Sequence, residues 1–170
     1  MNQTLSRRLF KMNHLPSLHP LSVVLVAALA TSHVAGAPPA PPEGYRWVPN
    51  EAYTDEFDGQ SLDSSKWLDH HPYWRGRPPA KFMPDTITVA GGRMSIKNRP
   101  LEKPEGRFTI AGGAVVSRAA TAHYGYYEVR MRASRISMSS TFWFSNQSDR
   151  SDPRRSAQEL DVQEAVGAGK

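Results

Sequence analysis

The sequence contains no cysteine among its 170 residues, and this absence excludes several kinds of chemistry. Disulfide bonds, thiolate metal sites and cysteine nucleophiles are ruled out, so stability comes from packing and any catalytic group is another side chain. An apolar fraction of 39% and a charged fraction of 22% are typical of a globular protein, and the length suits one domain. The sequence therefore predicts a single domain with a hydrophobic core.

Long apolar runs are also lacking. The apolar stretch at residues 21–30 is too short to span a bilayer, which argues against a stable membrane anchor. Three basic residues precede it: Arg7, Arg8 and Lys11. Small residues around Ala37 follow it, so residues 1–37 are predicted to be a signal peptide for secretion or export to the periplasm. Residues 6–10 also resemble a twin-arginine motif, but the delayed apolar stretch favours ordinary secretion.

The formal net charge of +5 would ordinarily favour nucleic acid as a partner. Removal of residues 1–37 takes away three basic residues and no acidic ones. The mature chain would keep 18 basic and 16 acidic residues, a formal charge of +2. A nearly neutral chain gives no electrostatic reason to bind nucleic acid, so no such partner is expected.

Residues 38–44 are rich in proline and predict an extended linker, because proline lacks an amide donor and fixes its own backbone angle. From Tyr45 onward no window of twelve residues has the apolar period of a helix, whereas several short runs have period two. Residues 86–90 and 93–97 flank two glycines that suit a tight hairpin. Short strands without crossover helices predict an all-β fold, an antiparallel β-sandwich over residues 45–170.

Three acidic residues lie close together in the stretch Glu-Leu-Asp-Val-Gln-Glu, which begins at Glu159. On a regular strand Glu159 and Asp161 share one face and their apolar neighbours face the core, while Glu164 falls on the wrong side. A β-bulge at residues 162–163 would return Glu164 to the face of the other two carboxylates. Close like charges do not all ionise freely, so one carboxyl is expected to keep its proton and act as an acid.

Two interpretations of these acids stay open from the residues alone. Paired carboxyl groups about 5 Å apart are the apparatus of a retaining glycosidase, whereas solvated acids on an exposed strand are the alternative. An aromatic strand at residues 138–145 precedes the acidic one, so the two strands are expected to be neighbours in a sheet. Because sugar rings stack on aromatic faces, acids beside aromatics favour a polysaccharide site.

The pattern Glu-x-Asp-x-x-Glu at residues 159–164 resembles the active strand of glycoside hydrolase family 16. Four further segments are similar to that family: residues 53–59, 125–131, 74–78 and 139–143. The last two are closer to agarases and porphyranases than to laminarinases. The resemblance implies a jelly-roll sandwich of the concanavalin A type and a β-linked galactan, such as agarose or porphyran, as substrate.

The resemblance also implies a role for each acid. Glu159 would be the nucleophile that forms a glycosyl-enzyme, and Glu164 would be the acid that protonates the leaving oxygen and later activates water. Asp161 would hold Glu159 in place. A galactan-binding module without turnover is the alternative function, and the full set of three carboxylates argues against it.

Substrate contacts are predicted from aromatic and basic residues. Trp74 and Trp143 are candidate stacking platforms, with a buried core tryptophan as the alternative for each. Arg75 and Arg77 follow Trp74, and Arg77 is the candidate contact to a sulfate ester, with a solvated surface arginine as the alternative. Two histidines of the same loop are further candidates: His70 and His71. A second basic cluster precedes the acidic strand: Arg150, Arg154 and Arg155.

No second histidine pair with metal-ligand spacing occurs, so no cofactor is expected. The resemblance leaves room for a structural calcium ion away from the cleft, with ligands that the sequence does not identify. A monomer acting on a polysaccharide is expected. Domains of the family continue well beyond the active strand, so the chain is interpreted as the front part of such a domain, inactive or poorly folded by itself.

Overall fold

The structure is a computed structural model that describes the backbone of residues 5–14 and the whole of residues 38–146 and 158–167. Those residues form strands and one short 3-10 helix, Pro84–Thr86. The strands in chain order are β1 (Leu5–His14), β2 (Tyr45–Pro49), β3 (Trp67–Leu68), β4 (Ala80–Phe82), β5 (Ile87–Val89), β6 (Met94–Ile96), β7 (Arg99–Glu105), β8 (Phe108–Gly112), β9 (Val116–Ser117), β10 (Tyr126–Met131), β11 (Ser140–Asn146) and β12 (Gln158–Ala165). The predicted all-β class is confirmed.

The described strands form four sheets. The largest has the order β10-β1-β6-β5, with β2 also paired to β1. The others are β4-β8-β7, β3-β9 and β11-β12. All pairs are antiparallel except β4 and β8, which run parallel, so the predicted antiparallel arrangement has one exception within the described residues.

The hairpin predicted around the two adjacent glycines is confirmed. β5 and β6 pair antiparallel, with Val89 opposite Met94. Gly91 and Gly92 connect them with φ angles of 58° and 69°. Positive φ at both central residues suits the right-handed twist of the paired strands, and glycine adopts it without the steric cost of a Cβ atom.

The core lies against the sheet that contains β5, β6 and β10. Its buried cluster consists of four side chains: Phe57, Trp67, Val89 and Met94. Val129 and Met131, alternate residues of β10, pack against this cluster, as their period-two spacing predicts. The core is therefore built from hairpin, β10 and loop residues that are distant in sequence.

A single carboxylate organises the loop side of this core. One oxygen of Asp55 accepts a hydrogen bond from Trp67 Nε1 at 2.7 Å, and the other accepts one from the Phe57 backbone N–H at 2.7 Å. Phe57 has a positive φ of 56°, a conformation that is costly for a bulky residue. Burial of the Phe57 ring against Trp67 and the bond to Asp55 offset that cost.

β1 lies inside the segment that the sequence predicts to be a signal peptide. Its backbone pairs with β10 over residues 5–10 and with β2 over residues 10–14. The apolar stretch at residues 21–30 and the small residues before Pro38 lie outside the described residues, so the signal stays a prediction. Removal of residues 1–37 would take β1 out of the sheet and leave the edge of β10 unpaired.

Residues 38–44, the predicted linker, contain no strand or helix. Trp47 of β2 donates a hydrogen bond from Nε1 to the carbonyl oxygen of Pro39 at 2.6 Å, which ties this segment to the sheet. Among the described residues, no helix has the length and apolar character needed to cross a membrane.

Replacement of Asp55 by alanine tests the account of the core. It would remove the hydrogen bonds from the Trp67 indole N–H and from the Phe57 N–H to Asp55, so the free energy of unfolding is expected to fall by about 2–4 kcal/mol. Asp63→Ala is the matched control, because Asp63 accepts two hydrogen bonds from Ser65 in an exposed turn. It is expected to cost about 1 kcal/mol or less. Equal losses in chemical denaturation would contradict the account.

Candidate functional site

β11 and β12 pair antiparallel with one extra residue on β12. Phe142 lies opposite Gln163, whereas the next residue, Trp143, lies opposite Asp161. Val162 is therefore the extra residue, and the β-bulge that the acid spacing predicts is present.

The bulge brings the three predicted catalytic residues to one face of the sheet. Their cross-strand partners are alternate residues of β11: Ser145 for Glu159, Trp143 for Asp161 and Thr141 for Glu164. Alternate residues of a strand share a face, and directly opposite residues lie on the same side of the sheet. The carboxylates of Glu159, Asp161 and Glu164 consequently form a row, and all three residues are exposed.

The expectation that the apolar neighbours of these acids face a core is wrong for the described residues. Leu160 and Val162 are 62% and 54% exposed. On β11 the same face is better covered, since Phe142 is buried and its ring contacts Phe144 at a centroid distance of 5.4 Å. In the described part of the chain β12 pairs with β11 alone, and its own residues are almost all exposed.

An aromatic cluster joins Trp143 to the loop that carries Trp74. The His71 ring stacks on Trp143 at a centroid distance of 6.2 Å and an interplanar angle of 10°. Its edge also contacts Trp74 at 5.9 Å and 83°. Trp74 packs edge-on against Phe82 at 5.1 Å. Because Trp143 lies opposite Asp161, the cluster is next to the row of carboxylates.

Neither candidate platform is a core tryptophan. Trp74 is 38% exposed and Trp143 is half-buried, whereas Trp67 fills the core and is 1% exposed. The core alternative therefore does not hold for Trp74 or Trp143. Both side chains keep exposed surface, as a stacking platform requires, and that of Trp143 lies beside the acids.

His71 links the two tryptophans, a contact that the sequence does not predict. Its Nδ1 accepts a hydrogen bond from the Tyr73 backbone N–H at 3.3 Å, so the neutral ring carries its proton on Nε2. Burial between the tryptophans lowers the pKa of His71 from its ordinary value of 6.5, and the nearby His70 lowers it further. Its position three residues before Trp74 was the available signal, but a sequence does not show which ring it stacks on.

The two arginines that follow Trp74 differ in their contacts. Arg75 Nη2 lies 3.4 Å from a carboxylate oxygen of Glu105, in an ion pair. Arg77 is exposed, and its side chain has no hydrogen bond or ion pair within the described part of the chain. The Arg75 side chain is still 69% exposed, so the two arginines differ in pairing rather than in exposure, and Arg77 is the one without a partner among the described residues.

Tight backbone contacts shape the loop around Arg77. The Ala80 N–H donates to the carbonyl oxygen of Arg77 at 2.8 Å, and the Phe82 N–H donates to that of Arg75 at 2.8 Å. Gly76 has a φ of 114°, and a Cβ atom there would meet the Ala80 carbonyl oxygen at 2.5 Å. Glycine is thus required between the two arginines.

Two sequence expectations gain no support from the structure. Residues 150, 154 and 155, the second basic cluster, lie outside the described residues. Within the described ranges, no group of three or more acidic or histidine side chains is arranged to hold a metal ion. The acid-rich segment before β3 instead uses Asp55 and Asp63 to accept backbone N–H groups.

Comparison with known proteins identifies the family. A family model described as "Beta-porphyranase A-D, GH16 domain" matches residues 47–170. The chain belongs to glycoside hydrolase family 16. This match contains the acidic strand, the aromatic strand and the loop of Trp74, so the resemblance inferred from their motifs is confirmed.

Curated relatives of this family 16 chain include several porphyranases and an extracellular agarase of Streptomyces coelicolor. The chain is 52% identical to beta-porphyranase E of Zobellia galactanivorans, over 76% of this chain and 46% of that protein. It is 45% identical to beta-porphyranase B of Phocaeicola plebeius, over 82% of this chain and 48% of that protein. The chain thus spans about half the length of these curated relatives.

A solved structure supports the fold of this family 16 chain. The crystal structure of a beta-porphyranase from the human gut bacterium Bacteroides plebeius matches with a TM-score of 0.70 and 46% identity, over 78% of this chain and 49% of that one. The predicted jelly-roll sandwich is confirmed by this match.

The protonation of His71 gives a prediction with a definite sign. Because the folded protein lowers the pKa of His71, the unfolded chain takes up this proton first as the pH falls. The contribution of neutral His71 to the free energy of unfolding is complete above about pH 6.5. It is lost as the pH falls from there through the lower pKa that His71 has in the folded protein. An NMR titration is expected to give a pKa below 6.5 for His71, and His71→Gln is expected to remove this part of the acid sensitivity.

The control for this prediction is His70→Gln, which removes only the smaller, Coulombic cause of the lowered His71 pKa and is expected to leave most of the acid sensitivity of unfolding in place. A folded-state pKa at or above 6.5 for His71 would contradict the buried, Nε2-protonated ring.

Proposed function

We propose that the protein is a secreted, endo-acting, retaining glycoside hydrolase that cleaves β-linked red-algal galactans, with porphyran as the preferred substrate. The observation that carries this proposal is the row of Glu159, Asp161 and Glu164 on the face that also bears Trp143. A binding module has no need for three aligned carboxylates. The porphyranase relatives and the predicted signal peptide support the same conclusion.

The reaction would run in two displacements. Glu159 attacks the anomeric carbon while Glu164 donates a proton to the leaving oxygen, so the glycosidic bond breaks and a glycosyl ester forms on Glu159. Glu164, now a carboxylate, takes a proton from water as the water attacks the anomeric carbon and releases Glu159. Two inversions give net retention. Asp161, between them on the same face, would hold Glu159 in its attacking position by a hydrogen bond.

The strand geometry is compatible with retention. Glu159 and Glu164 lie opposite residues of β11 that are four positions apart, roughly 13 Å at a rise of about 3.3 Å per residue. Two extended glutamate side chains that lean toward each other over Asp161 would approach the roughly 5 Å that a double displacement requires.

The aromatic cluster supports a polysaccharide substrate. Trp143 lies directly opposite Asp161, so a sugar stacked on its indole would be next to the reacting bond. Trp74, joined to Trp143 through His71, extends the apolar surface away from the acids. Two platforms at different distances from the reaction centre fit an enzyme that binds several units of a chain and cuts inside it.

Arg77 supports a sulfated galactan over a neutral one. Porphyran carries sulfate esters and agarose does not, and the planar guanidinium offers paired donors to such an anion. Arg77 is exposed without a partner in the described residues, whereas Arg75 is paired with Glu105. We therefore assign the sulfate contact to Arg77.

Variants of the three acids test the proposal, using the protein as its gene encodes it. Glu159→Gln and Glu164→Gln are each expected to lower kcat on porphyran by about 10²–10⁴-fold, because nucleophile and proton donor are lost. Asp161→Asn is expected to lower kcat by about tenfold or more with little change in KM. Reducing-sugar release from porphyran, agarose, carrageenan and laminarin is the measurement.

Glu43→Gln is the matched control, because Glu43 is exposed and distant in sequence from the acidic strand, and it is expected to retain full activity. Turnover that survives in Glu159→Gln would overturn the nucleophile assignment. Binding without release from any of the four polymers would favour a galactan-binding module.

A further inference from the structure

A charge cluster joins the segment that carries Trp74 and Arg77 to the end of β7, apart from the row of acids. Glu105, the last residue of β7, accepts hydrogen bonds from Lys81 Nζ at 2.9 Å and 2.7 Å, one on each carboxylate oxygen. It also pairs with Arg75 Nη2 at 3.4 Å. The hydrogen bond from Lys81 and the charge of both cations hold the pKa of Glu105 below its usual range.

The two cations of this cluster, Arg75 and Lys81, lie in the same segment of the chain as Trp74 and Arg77. Lys81 is in β4, its side chain is only 18% exposed, and its ammonium group contacts the carboxylate of Glu105. Arg75 is held from a second direction, because its guanidinium lies 5.6 Å from the ring centroid of Phe108 in β8. The hairpin of β7 and β8 therefore holds both cations.

The same segment carries the proposed substrate contacts. We call residues 74–82 the substrate loop. Trp74 packs edge-on against Phe82 at 5.1 Å, and the Phe82 N–H bonds to the carbonyl oxygen of Arg75. The carbonyl oxygen of Arg77 accepts from the Ala80 N–H, one residue before Lys81. Movement of Lys81 or Arg75 would thus displace Trp74 and Arg77, because the backbone hydrogen bonds and the Trp74–Phe82 contact connect them within a few residues.

We propose that Glu105 is a positioning residue for the substrate loop: it binds Lys81 and Arg75 and so fixes the segment from which Arg77 contacts a sulfate ester. This inference rests on the proposed function. Glu105 does not touch the substrate; it acts through the two cations. Removal of its charge would leave the half-buried Lys81 ammonium unpaired and release Arg75, and small displacements of a substrate-holding group are costly to recognition.

The test measures kcat and KM of Glu105→Gln on porphyran. Loss of positioning is expected to raise KM about three- to tenfold with kcat within about twofold of wild type, because the acids on β12 are untouched. Glu102→Gln, an exposed residue of the same strand, is the matched control and is expected to match wild type. Lys81→Arg, which keeps a donor for Glu105, is expected to remain within about twofold of wild type in KM.

A double-mutant cycle links Glu105 to Arg77. Arg77→Ala is expected to raise KM, and Glu105→Gln is expected to add less in that background than in wild type, because only its effect on Trp74 remains. Full additivity of the two effects would overturn the proposal. An unchanged KM in Glu105→Gln would also overturn the proposal. A lower KM would overturn it as well, because it would mean that the carboxylate of Glu105 only repels the sulfated chain.

Hydrogen exchange of the Ala80 and Phe82 amides gives a readout that needs no substrate. Both amides are expected to exchange faster in Glu105→Gln than in wild type and Glu102→Gln, and equal rates would overturn the proposal. If wild-type protein releases no sugar from porphyran, the proposed function fails, while the exchange rates still decide whether Glu105 holds the loop. Glu105→Asp, which keeps the charge on a shorter side chain, is expected to give intermediate rates and KM.

Discussion

One extra residue on β12, Val162, is the constraint on which the rest of the site depends. Side chains alternate across a strand, so a shift of one residue moves every later side chain to the opposite face. Val162 absorbs one position of the pairing, and Glu164 therefore shares a face with Glu159, Asp161 and Trp143. Without it, the proposed proton donor would point away from the proposed nucleophile, and no arrangement of the substrate loop would restore the chemistry.

The site is assembled from two parts that are distant in sequence and do different work. The pair of β11 and β12 supplies the acids, and the substrate loop supplies Arg77 and an aromatic ring. His71 joins them by stacking on Trp143 while its edge contacts Trp74. Glu105 holds the substrate loop through its ion pairs with Lys81 and Arg75. In the proposed enzyme, chemistry and recognition would thus depend on separate contacts.

Local patterns in the sequence predicted local structure well. Two glycines between period-two runs predicted the β5–β6 hairpin, and the spacing of the acids predicted the bulge, because each depends on neighbouring residues only. Contacts between distant residues were not predictable. The sequence Trp-Arg-Gly-Arg does not show that Glu105 pairs with Arg75 and not with Arg77. The apolar character of Leu160 likewise does not show that this residue is exposed in the described part of the chain.

The central claim is that the bulge aligns Glu159 as the nucleophile with Glu164 as its acid and base. Its most direct test is a galactosyl substrate analogue fluorinated at carbon 2, which forms a long-lived ester with a carboxylate nucleophile. Mass spectrometry of the digested protein locates the modified residue. The account predicts a single label on Glu159, absent from Glu159→Gln and accumulating more slowly in Asp161→Asn. A label on Glu164, or on a residue outside β12, would contradict it.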